Sequence, residues 1–489
     1  MNSPFYDILG DLLIREYNIS GIPAAFTADS RKVFPGMGFV AITGTVSDGH
    51  KFIPGALERG AALIVMEKEV PLPSGTPALL VRESTAAFAR LYRHSKGDPD
   101  SAMKLLGVTG TNGKTTSAFL LEHIFNFSGL RCGLVSTVEY RTGSQNIPGD
   151  RTTPDSATLF DLFAEMKDNS MEYAAMELSS HSLVQNRAAG IGLRAGIFTN
   201  LTGDHLDYHG DMEHYYQAKK RMFTHFLDSD GVAVINGDDP WGKRLAAEIS
   251  DKVRCAVFGS GREFDHRISD WQLDCSGVSF MLHTPEYGKL HIDSGLTGFY
   301  NIQNITGAVI AALDCGIAPE KVLAALKEKI RVPGRLESFN IPGGGTAFVD
   351  YAHTDDALKN VLGAVRKFTS GKVLLLFGAG GDRDKSKRPR MGKTAAEYAD
   401  FLVVTSDNPR SEKSEDIIKD ILQGIPESAS FIVELDRREA IRKILEMLEK
   451  GDCAVIAGKG HEAYQEINGV KHHFSDIEET ESFIREKRK

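Results

Sequence analysis

The sequence predicts an α/β protein of three domains: a small N-terminal α/β domain, a central P-loop-type domain with a mostly parallel sheet, and a C-terminal Rossmann-like domain. Its 489 residues exceed what one hydrophobic core normally serves. Short β-rich runs alternate with helical patterns along the chain, and this alternation restarts after residue 331. We therefore expect domains at 1–100, 101–331 and 332–489.

The elements are expected in the following order. The first domain has β-rich stretches at 38–42 and 62–66 and a helical pattern at 84–94. The central domain combines helices at 114–127 and 212–226 with buried strands at 104–109, 173–178, 195–200 and 232–236, and residues 267–296 alternate like a meander. The last domain has strands at 346–351, 373–378, 401–405, 431–434 and 453–457. Two doubly wound sheets follow from this order.

Composition disfavours several classes of protein. The chain is 42% hydrophobic and 25% charged, and no apolar run approaches the ~18 residues of a membrane span. A net charge of -9 argues against general nucleic-acid binding. The five cysteines are scattered without a CxxC pair, which predicts neither a disulfide framework nor a thiolate zinc site. Residues 1–17 are expected to form an amphipathic helix rather than an export signal, so we expect a cytoplasmic protein without membrane insertion.

A phosphate-binding loop is the clearest chemical feature. A buried strand leads into Gly110, Thr111, Asn112 and Gly113, and a helix begins with Lys114, Thr115 and Thr116. Such a turn directs backbone N–H groups and the positive helix end at an anion, while the lysine adds charge and a threonine hydroxyl suits Mg²⁺. The usual pattern has glycine where this chain has Val108, so the loop is a variant. A turn without a ligand is the alternative, but strand, Gly-Lys-Thr and helix together favour a nucleoside triphosphate.

Polar side chains follow two further strands. Glu177 ends a buried strand, where an acid is costly unless it is paired or binds a cation. Asn200, Asp204 and His205 follow the next strand, and the carboxyl ends of parallel strands meet at one edge of a sheet. Each residue taken singly could be a satisfied structural group. Glu177 and His205 together, beside a triphosphate loop, favour a functional role.

Six motifs, in this order and spacing, closely resemble those of the Mur ligases of peptidoglycan synthesis: GVTGTNGKTT, MELSSHSL, FTNLTGDHLDYHG, VPGRLE, VDYAHT and GKGHE. The resemblance spans essentially the whole chain. It implies an N-terminal domain for a UDP-sugar, a central ATPase domain and a C-terminal domain for an incoming amino acid. ATP would phosphorylate a peptide carboxylate to an acyl phosphate, which an amine then attacks.

The resemblance also implies roles for individual residues. Catalytic roles fall to Lys114, Glu177, His205 and a carbamylated Lys219. The implied Mg²⁺ ligands are Thr115, Glu177, His205 and the Lys219 carbamate, and Asn200 and Arg335 join the loop residues in ATP binding. The implied contacts of UDP-N-acetylmuramoyl-L-alanyl-D-glutamate are Ser30, Thr152, Thr153, Ser180, Gln185 and Arg187. Spacing alone would make Lys219 a solvated helix lysine, and only the resemblance reverses that preference.

The amino acid to be added is indicated by the loop Asp407-Asn408-Pro409-Arg410, which follows a strand of the last domain. In the family this sequence marks enzymes that add meso-diaminopimelate, whose distal carboxylate an arginine can hold with two hydrogen bonds. The implied contacts are Arg383, Asp407, Asn408, Arg410, Gly458 and Glu462. The family's usual Thr-Pro-Asp after DYAH is Thr354-Asp355-Asp356 here, so this loop departs from the pattern.

Other functions stay open at this stage. A sister ligase adding L-lysine or an alanine dipeptide is the closest alternative, and a folylpolyglutamate synthetase shares the phosphate loop without this first domain. A P-loop kinase or motor is disfavoured by the SSH and DHLD segments. A non-enzymatic nucleotide-binding module would not require Glu177, His205 and Arg410 together. We expect a monomer that acts on small molecules and does not bind nucleic acid.

Overall fold

The computed structural model describes residues 4–44 and 47–488 and confirms the three-domain α/β class. The described chain forms two compact units. One holds the residues up to Ile268 with His283–Gly288 and Gln303–Ala325, and the other holds Ser269–Leu282, Lys289–Ile302 and the residues from Leu326 onward. No helix in the described ranges combines the length and apolar character needed to cross a membrane.

The N-terminal sheet has the strand order β1-β5-β4-β3-β2. Its elements are α1 (Pro4–Leu9), β1 (Leu13–Tyr17), β2 (Phe26–Thr27), β3 (Gly38–Val40), α2 (Ile53–Glu58), β4 (Leu63–Met66), β5 (Ala78–Val81) and α3 (Ser84–Ser95). The helix predicted over 1–17 is therefore too long, and its first three residues lie outside the described ranges. Residues 13–17 form a strand because they pair antiparallel with buried β5, and this tertiary pairing overrides local helical pattern.

The central sheet begins with β6 (Lys104–Thr109). It continues through α4 (Lys114–Phe127), β7 (Cys132–Val135), β8 (Glu139–Arg141), β9 (Asn146–Pro148), α5 (Ser156–Asp168), β10 (Tyr173–Glu177), α6 (Ser180–Val184), β11 (Leu193–Phe198), α7 (Leu206–His209), α8 (Met212–His225), β12 (Leu227–Asn236), α9 (Pro240–Ile249), β13 (Arg254–Gly259) and β14 (His266–Asp274). Within the first unit β6 lies between β10 and β11 and runs parallel to both. The three strands therefore end at one edge, where α/β proteins form ligand sites.

The remaining elements follow in chain order. They are β15 (Gly277–Thr284), β16 (Gly288–Ser294), α10 (Phe299–Asp314), α11 (Pro319–Lys327), β17 (Glu337–Asn340), β18 (Thr346–Asp350), α12 (Asp355–Arg366), β19 (Val373–Phe377), α13 (Lys387–Tyr398), β20 (Phe401–Val404), α14 (Ser414–Leu422), β21 (Phe431–Val433), α15 (Arg437–Glu446), β22 (Cys453–Ala457), β23 (Tyr464–Ile467), β24 (Val470–His473) and α16 (Asp476–Lys487). The last large sheet has the order β17-β18-β22-β19-β20-β21. Its five predicted strands are all present. The hairpin of β23 and β24 was not predicted.

The C-terminal sheet is buried on both faces. Leu375, Phe377 and Val455 pack with α12, α13 and α14, whereas Leu374 and Ile456 pack with α15 and α16. Successive residues of a strand point to opposite faces, so these continuous apolar strands need helices on both sides. The doubly wound arrangement follows directly from that burial.

One fully buried ion pair connects α15 to α16. The Arg437 guanidinium donates two hydrogen bonds of 2.7 Å to the Asp476 carboxylate, and neither side chain is exposed. Arg437 also donates to the carbonyl oxygens of Ser406 and Ala457. These two carbonyls begin the loops after β20 and β22, so the pair fixes the start of both loops.

We predict that Asp476→Ala lowers the free energy of unfolding of the C-terminal unit by about 3–5 kcal/mol, because it leaves a buried guanidinium without its carboxylate. Glu479→Ala is the matched control, since Glu479 lies on α16 like Asp476 and pairs with the exposed Arg438 of α15. That control is expected to cost at most about 1 kcal/mol. Urea unfolding of the three proteins measures both values, and equal losses would contradict the prediction.

Candidate active site

The phosphate loop after β6 accepts only glycine at its two bends. Gly110 and Gly113 have φ of +150° and +88°. A Cβ on Gly110 would collide with the Thr199 hydroxyl, and one on Gly113 would collide with the Asn304 amide oxygen. Close approach of neighbouring polar groups thus explains both glycines. Asn304 could not be predicted from the sequence, because no local motif marks this buried residue of α10 as part of the site.

A second group of contacts shapes the middle of the loop. The Asn200 side chain accepts a hydrogen bond from the Asn112 N–H at 3.0 Å and donates to the Asn112 carbonyl at 3.1 Å. The Thr199 hydroxyl donates to the same carbonyl at 2.6 Å. Thr115 and Thr116 are buried in the first turn of α4. The loop is therefore held in shape by the segment after β11.

Two lysine ammonium groups meet at one carbonyl oxygen of the loop. Lys114 donates to the carbonyls of Gly110 and Thr111 at 2.8 Å each, and Lys219 donates to Gly110 at 2.7 Å. Lys219 is only 1% exposed, and its nitrogen lies 4.6 Å from the ring centre of Tyr215. Burial, followed by the nearby charge of Lys114, holds the pKa of Lys219 well below its ordinary value.

Glu177 is fully buried at the end of β10 with neutral donors around it. Its carboxylate accepts from the Thr137 N–H at 2.8 Å and from the Thr137 hydroxyl at 3.2 Å. That hydroxyl lies 3.0 Å from the Thr152 hydroxyl. Thr137 was missed from the sequence because it follows a separate strand, β7, and reaches Glu177 only in the folded sheet.

Three residues predicted to hold the UDP-linked substrate lie beside Glu177. The Thr153 hydroxyl donates to the Glu177 carbonyl at 2.8 Å, and Arg187 donates to the Thr153 carbonyl at 2.7 Å. Gln185 accepts two hydrogen bonds from the same guanidinium. Ser30 lies elsewhere in the unit, at the first position of a short 3-10 helix in the N-terminal domain.

A group of aromatic and imidazole rings surrounds His205. Its ring centre lies 4.9 Å from that of His181 and 6.2 Å from that of Tyr215. His209 lies 2.9 Å from the Ser180 hydroxyl, and burial lowers its pKa to about 4. Burial also lowers the pKa values of His181 and His205. These imidazoles are therefore neutral at physiological pH.

The four predicted metal ligands belong to the loop and to the segments around it. Glu177 and His205 form no hydrogen bond or ion pair with each other. Among the described residues, no three His, Cys, Asp or Glu side chains lie close enough to form a metal site by themselves. The ligand set of Thr115, Glu177, His205 and Lys219 therefore stays a prediction.

The loops after β20 and β22 form one polar cluster around a buried lysine. The Lys459 ammonium lies 3.1 Å from the Asn408 amide oxygen, 3.5 Å from the Glu462 carboxylate and 3.8 Å from the Asp407 carboxylate. Asn408 also donates to Glu462 at 2.9 Å. Gly458 lies directly against Asp407, where a Cβ would be too close to the carboxylate. Lys459 completes the cluster, although sequence analysis had assigned it no role.

Two arginines predicted to bind a carboxylate lie on either side of Gly380. A Cβ there would be 2.9 Å from the Arg410 guanidinium and 3.8 Å from the Arg383 side chain. Arg410 donates to the Gly381 carbonyl at 2.8 Å and pairs with Glu466 at 3.3 Å. Arg383 is exposed. The structure thus brings all six predicted amino-acid contacts to one edge of the C-terminal sheet.

Arg335 lies in the second compact unit, where its guanidinium is 5.3 Å from the ring centre of Tyr351. The buried Asp350 carboxylate accepts from the N–H groups of Leu336 and Ala352, both at 2.8 Å. Burial raises the pKa of Asp350. This carboxylate therefore joins the segment of Arg335 to the end of β18.

Three family descriptions match most of the chain. Residues 24–90 match the Mur ligase family catalytic domain, residues 108–312 the Mur ligase middle domain, and residues 334–460 the Mur ligase glutamate ligase domain. Two relatives named UDP-N-acetylmuramoyl-L-alanyl-D-glutamate–2,6-diaminopimelate ligase are similar over nearly their full length. The protein of Gloeobacter violaceus is 43% identical, covering 95% of this chain and 94% of its own. That of Geobacter metallireducens is 40% identical, covering 94% and 93%.

Solved structures agree with this result. A structure of a UDP-N-acetylmuramoyl-L-alanyl-D-glutamate–2,6-diaminopimelate ligase superposes with a TM-score of 0.72 at 33% identity and covers 95% of both chains. The MurF ligase of Thermotoga maritima in complex with ADP has a TM-score of 0.60 at 19% identity, covering 96% of this chain and all of its own, and shows the fold alone. Fold and phosphate loop define a three-domain α/β enzyme with a nucleotide-binding centre. The chain belongs to the Mur ligase family.

We predict that Gly113→Ala weakens binding of a nucleoside triphosphate by roughly 100-fold, because the added methyl group displaces Asn304 and distorts the loop. Gly129→Ala is the matched control at the other end of α4. Its φ is +86°, but nothing lies within 4 Å of the new methyl group. The control should cost about 1–2 kcal/mol of stability without loss of binding. Titration with a fluorescent ATP analogue measures the difference, and similar affinities for both variants would refute it.

Proposed function

We propose that this chain is the ATP-dependent ligase that joins meso-diaminopimelate to the D-glutamate carboxylate of UDP-N-acetylmuramoyl-L-alanyl-D-glutamate through an acyl phosphate. The observation that carries the acceptor assignment is the position of Arg410 and Arg383 beside the cluster of Asp407, Asn408 and Glu462. The names of two relatives at 40% and 43% identity support the same reaction.

The acceptor pocket separates two kinds of charge. Arg410 and Arg383 provide the positive groups that a distal carboxylate needs, and a guanidinium can hold a carboxylate through two parallel hydrogen bonds. Gly458 and Glu462 would provide acceptors for the distal ammonium. L-Lysine has that ammonium but lacks the carboxylate, so it would leave the arginines without their partner.

Activation of the donor carboxylate requires positive charge at the phosphate loop. A carboxylate becomes a good electrophile once one of its oxygens has been phosphorylated, but carboxylate and triphosphate repel each other. Lys114 and the N–H groups of the loop are placed to offset the negative charge of the phosphates, with Asn200 fixing the loop. We also assign Arg335 to ATP binding.

The residues near Glu177 suit a magnesium ion. A fully buried carboxylate is costly without a counter-charge, and Glu177 has only Thr137 donors and no ion pair in the described chain. Thr115 supplies a hydroxyl and His205 a neutral imidazole, although imidazole is an unusual partner for this metal. When bound, Mg²⁺ would supply positive charge that draws the phosphate and carboxylate oxygens together.

Carbamylation of Lys219 fits its surroundings. Only a neutral amine reacts with carbon dioxide, and burial together with Lys114 favours the neutral form of Lys219. The carbamate would put oxygen ligands for the metal in place of the Lys219 amine beside Lys114. The UDP-linked substrate is assigned to Ser30, Thr152, Thr153, Ser180, Gln185 and Arg187. We place the reaction in the cytoplasm, in peptidoglycan precursor synthesis, with the enzyme as a monomer that binds neither nucleic acid nor membrane.

We predict phosphate release from ATP with UDP-N-acetylmuramoyl-L-alanyl-D-glutamate and meso-diaminopimelate, but not with L-lysine as the acceptor. Arg410→Ala should raise KM for diaminopimelate about 10- to 100-fold, the loss of a charged hydrogen-bond pair, with KM for ATP within about twofold. Arg390→Ala, which removes a more exposed arginine of the same domain, is the control. Release with lysine alone would keep the ligase reaction and overturn the acceptor, and release with neither would redirect the search to the other Mur ligases.

We predict that native mass spectrometry finds an adduct of one carbon dioxide on the wild-type protein and that Lys219→Ala abolishes both adduct and activity. Lys220→Ala should retain both, since Lys220 is the neighbouring helix lysine and pairs with Glu248 at 2.8 Å. Added bicarbonate should increase the adduct because it supplies carbon dioxide. Full activity of Lys219→Ala without an adduct in the wild type would defeat the carbamate.

A further inference from the structure

Arg410 already has a carboxylate partner within the chain. Its guanidinium Nε lies 3.3 Å from the Glu466 carboxylate, and the two side chains are 21% and 25% exposed. A distal carboxylate from the amino acid would approach this same guanidinium. Two carboxylates in one small site repel each other, so the guanidinium cannot serve both equally well.

Glu466 is held next to Arg410 by the main chain of the hairpin β23–β24. The Arg410 N–H donates to the Glu466 carbonyl at 3.0 Å, and the Asn468 N–H donates to the Arg410 carbonyl at 2.7 Å. The Glu466 N–H donates to the Asn408 side chain at 2.9 Å. Arg410 itself has φ of +52°, a conformation that a non-glycine residue keeps only when its surroundings fix it. Hairpin and loop are therefore one hydrogen-bonded assembly.

The turn of this hairpin sets how β23 pairs with β24. Asn468 and Gly469 have φ of +49° and +77°, and Ile467 pairs with Val470 on either side of them. An Asn-Gly turn with both residues left-handed is the favoured two-residue connection of a hairpin. It fixes the register of β23 against β24, while the main-chain bonds of Glu466 and Asn468 to Arg410 place Glu466 beside the guanidinium.

We propose that Glu466 is a specificity-determining residue: its carboxylate occupies Arg410 when no amino acid is bound, and the distal carboxylate of the acceptor must displace it. This inference rests on the proposed function, because it takes Arg410 as the contact of that carboxylate. Glu466 keeps the guanidinium oriented and neutralised, and it excludes weakly binding anions. After the reaction it takes the guanidinium back and so favours release of the product.

The proposal predicts a gain in affinity from removing one charge. Glu466→Gln keeps the shape of the side chain and every main-chain hydrogen bond of the hairpin, but it removes the competing negative charge. KM for meso-diaminopimelate should fall about two- to fivefold, the range for a partly exposed ion pair, with kcat and KM for ATP nearly unchanged. Glu478→Gln is the matched control. Glu478 lies on α16 and pairs with His473, at the end of β24 away from the turn. This control should leave KM unchanged.

The experiment measures kinetics of wild type, both single variants, Arg410→Ala and the double variant Arg410→Ala with Glu466→Gln. Without Arg410, the Glu466 substitution should no longer lower KM, because it acts through that guanidinium. An unchanged or higher KM in Glu466→Gln, or an equal decrease in the absence of Arg410, would overturn the proposal while leaving the ligase assignment intact. A wild-type protein that fails to use diaminopimelate at all would overturn the proposed function and this inference with it. Melting temperatures confirm that the variants are folded.

Discussion

The phosphate loop depends on two lysine side chains that share one carbonyl oxygen. Lys114 and Lys219 both donate to Gly110, and like charges so close together are costly in a buried place. Three things relieve that cost: a neutral Lys219, a carbamate on Lys219, or an anion bound in the loop. Binding of a phosphate group in the loop would therefore lower the electrostatic repulsion between the two lysines. Glu177, a buried carboxylate without a cation, has the opposite need nearby.

In the C-terminal domain, buried polar groups hold the charged loops in place. Its loops carry opposite charges that pair with one another within the chain, and buried groups keep them in place. Arg437 holds the beginnings of two loops, while Lys459 lies among Asn408, Asp407 and Glu462. Polar groups that are fully satisfied when buried restrict a loop to one arrangement. The positions of both loops are thus fixed by groups of the chain itself.

Most of the sheet structure could be predicted from the sequence because buried parallel strands are continuous apolar runs with glycine-rich ends. The phosphate loop could be predicted for the same reason, since its strand, turn and helix are adjacent in the chain. Thr137, Asn304 and Lys459 could not, because they reach the site only through pairings between distant segments. The strand at 13–17 was missed because its partner lies far along the chain. The Asn468-Gly469 pair between alternating residues was a usable local signal for the hairpin of β23 and β24.

That hairpin determines, from outside the loop of residues 407–410, which side chain lies beside Arg410. One residue gained or lost between Glu462 and Tyr464 would shift β23 by one position against Arg410, and every side chain on β23 would exchange faces. Ile467 or Gln465 would then face the guanidinium in place of an acid, with no change to any residue of the binding loop. In the proposed role of Glu466, acceptor preference can diverge through the length of the connection before β23, which makes loop length as informative as residue identity when related ligases are compared or redesigned.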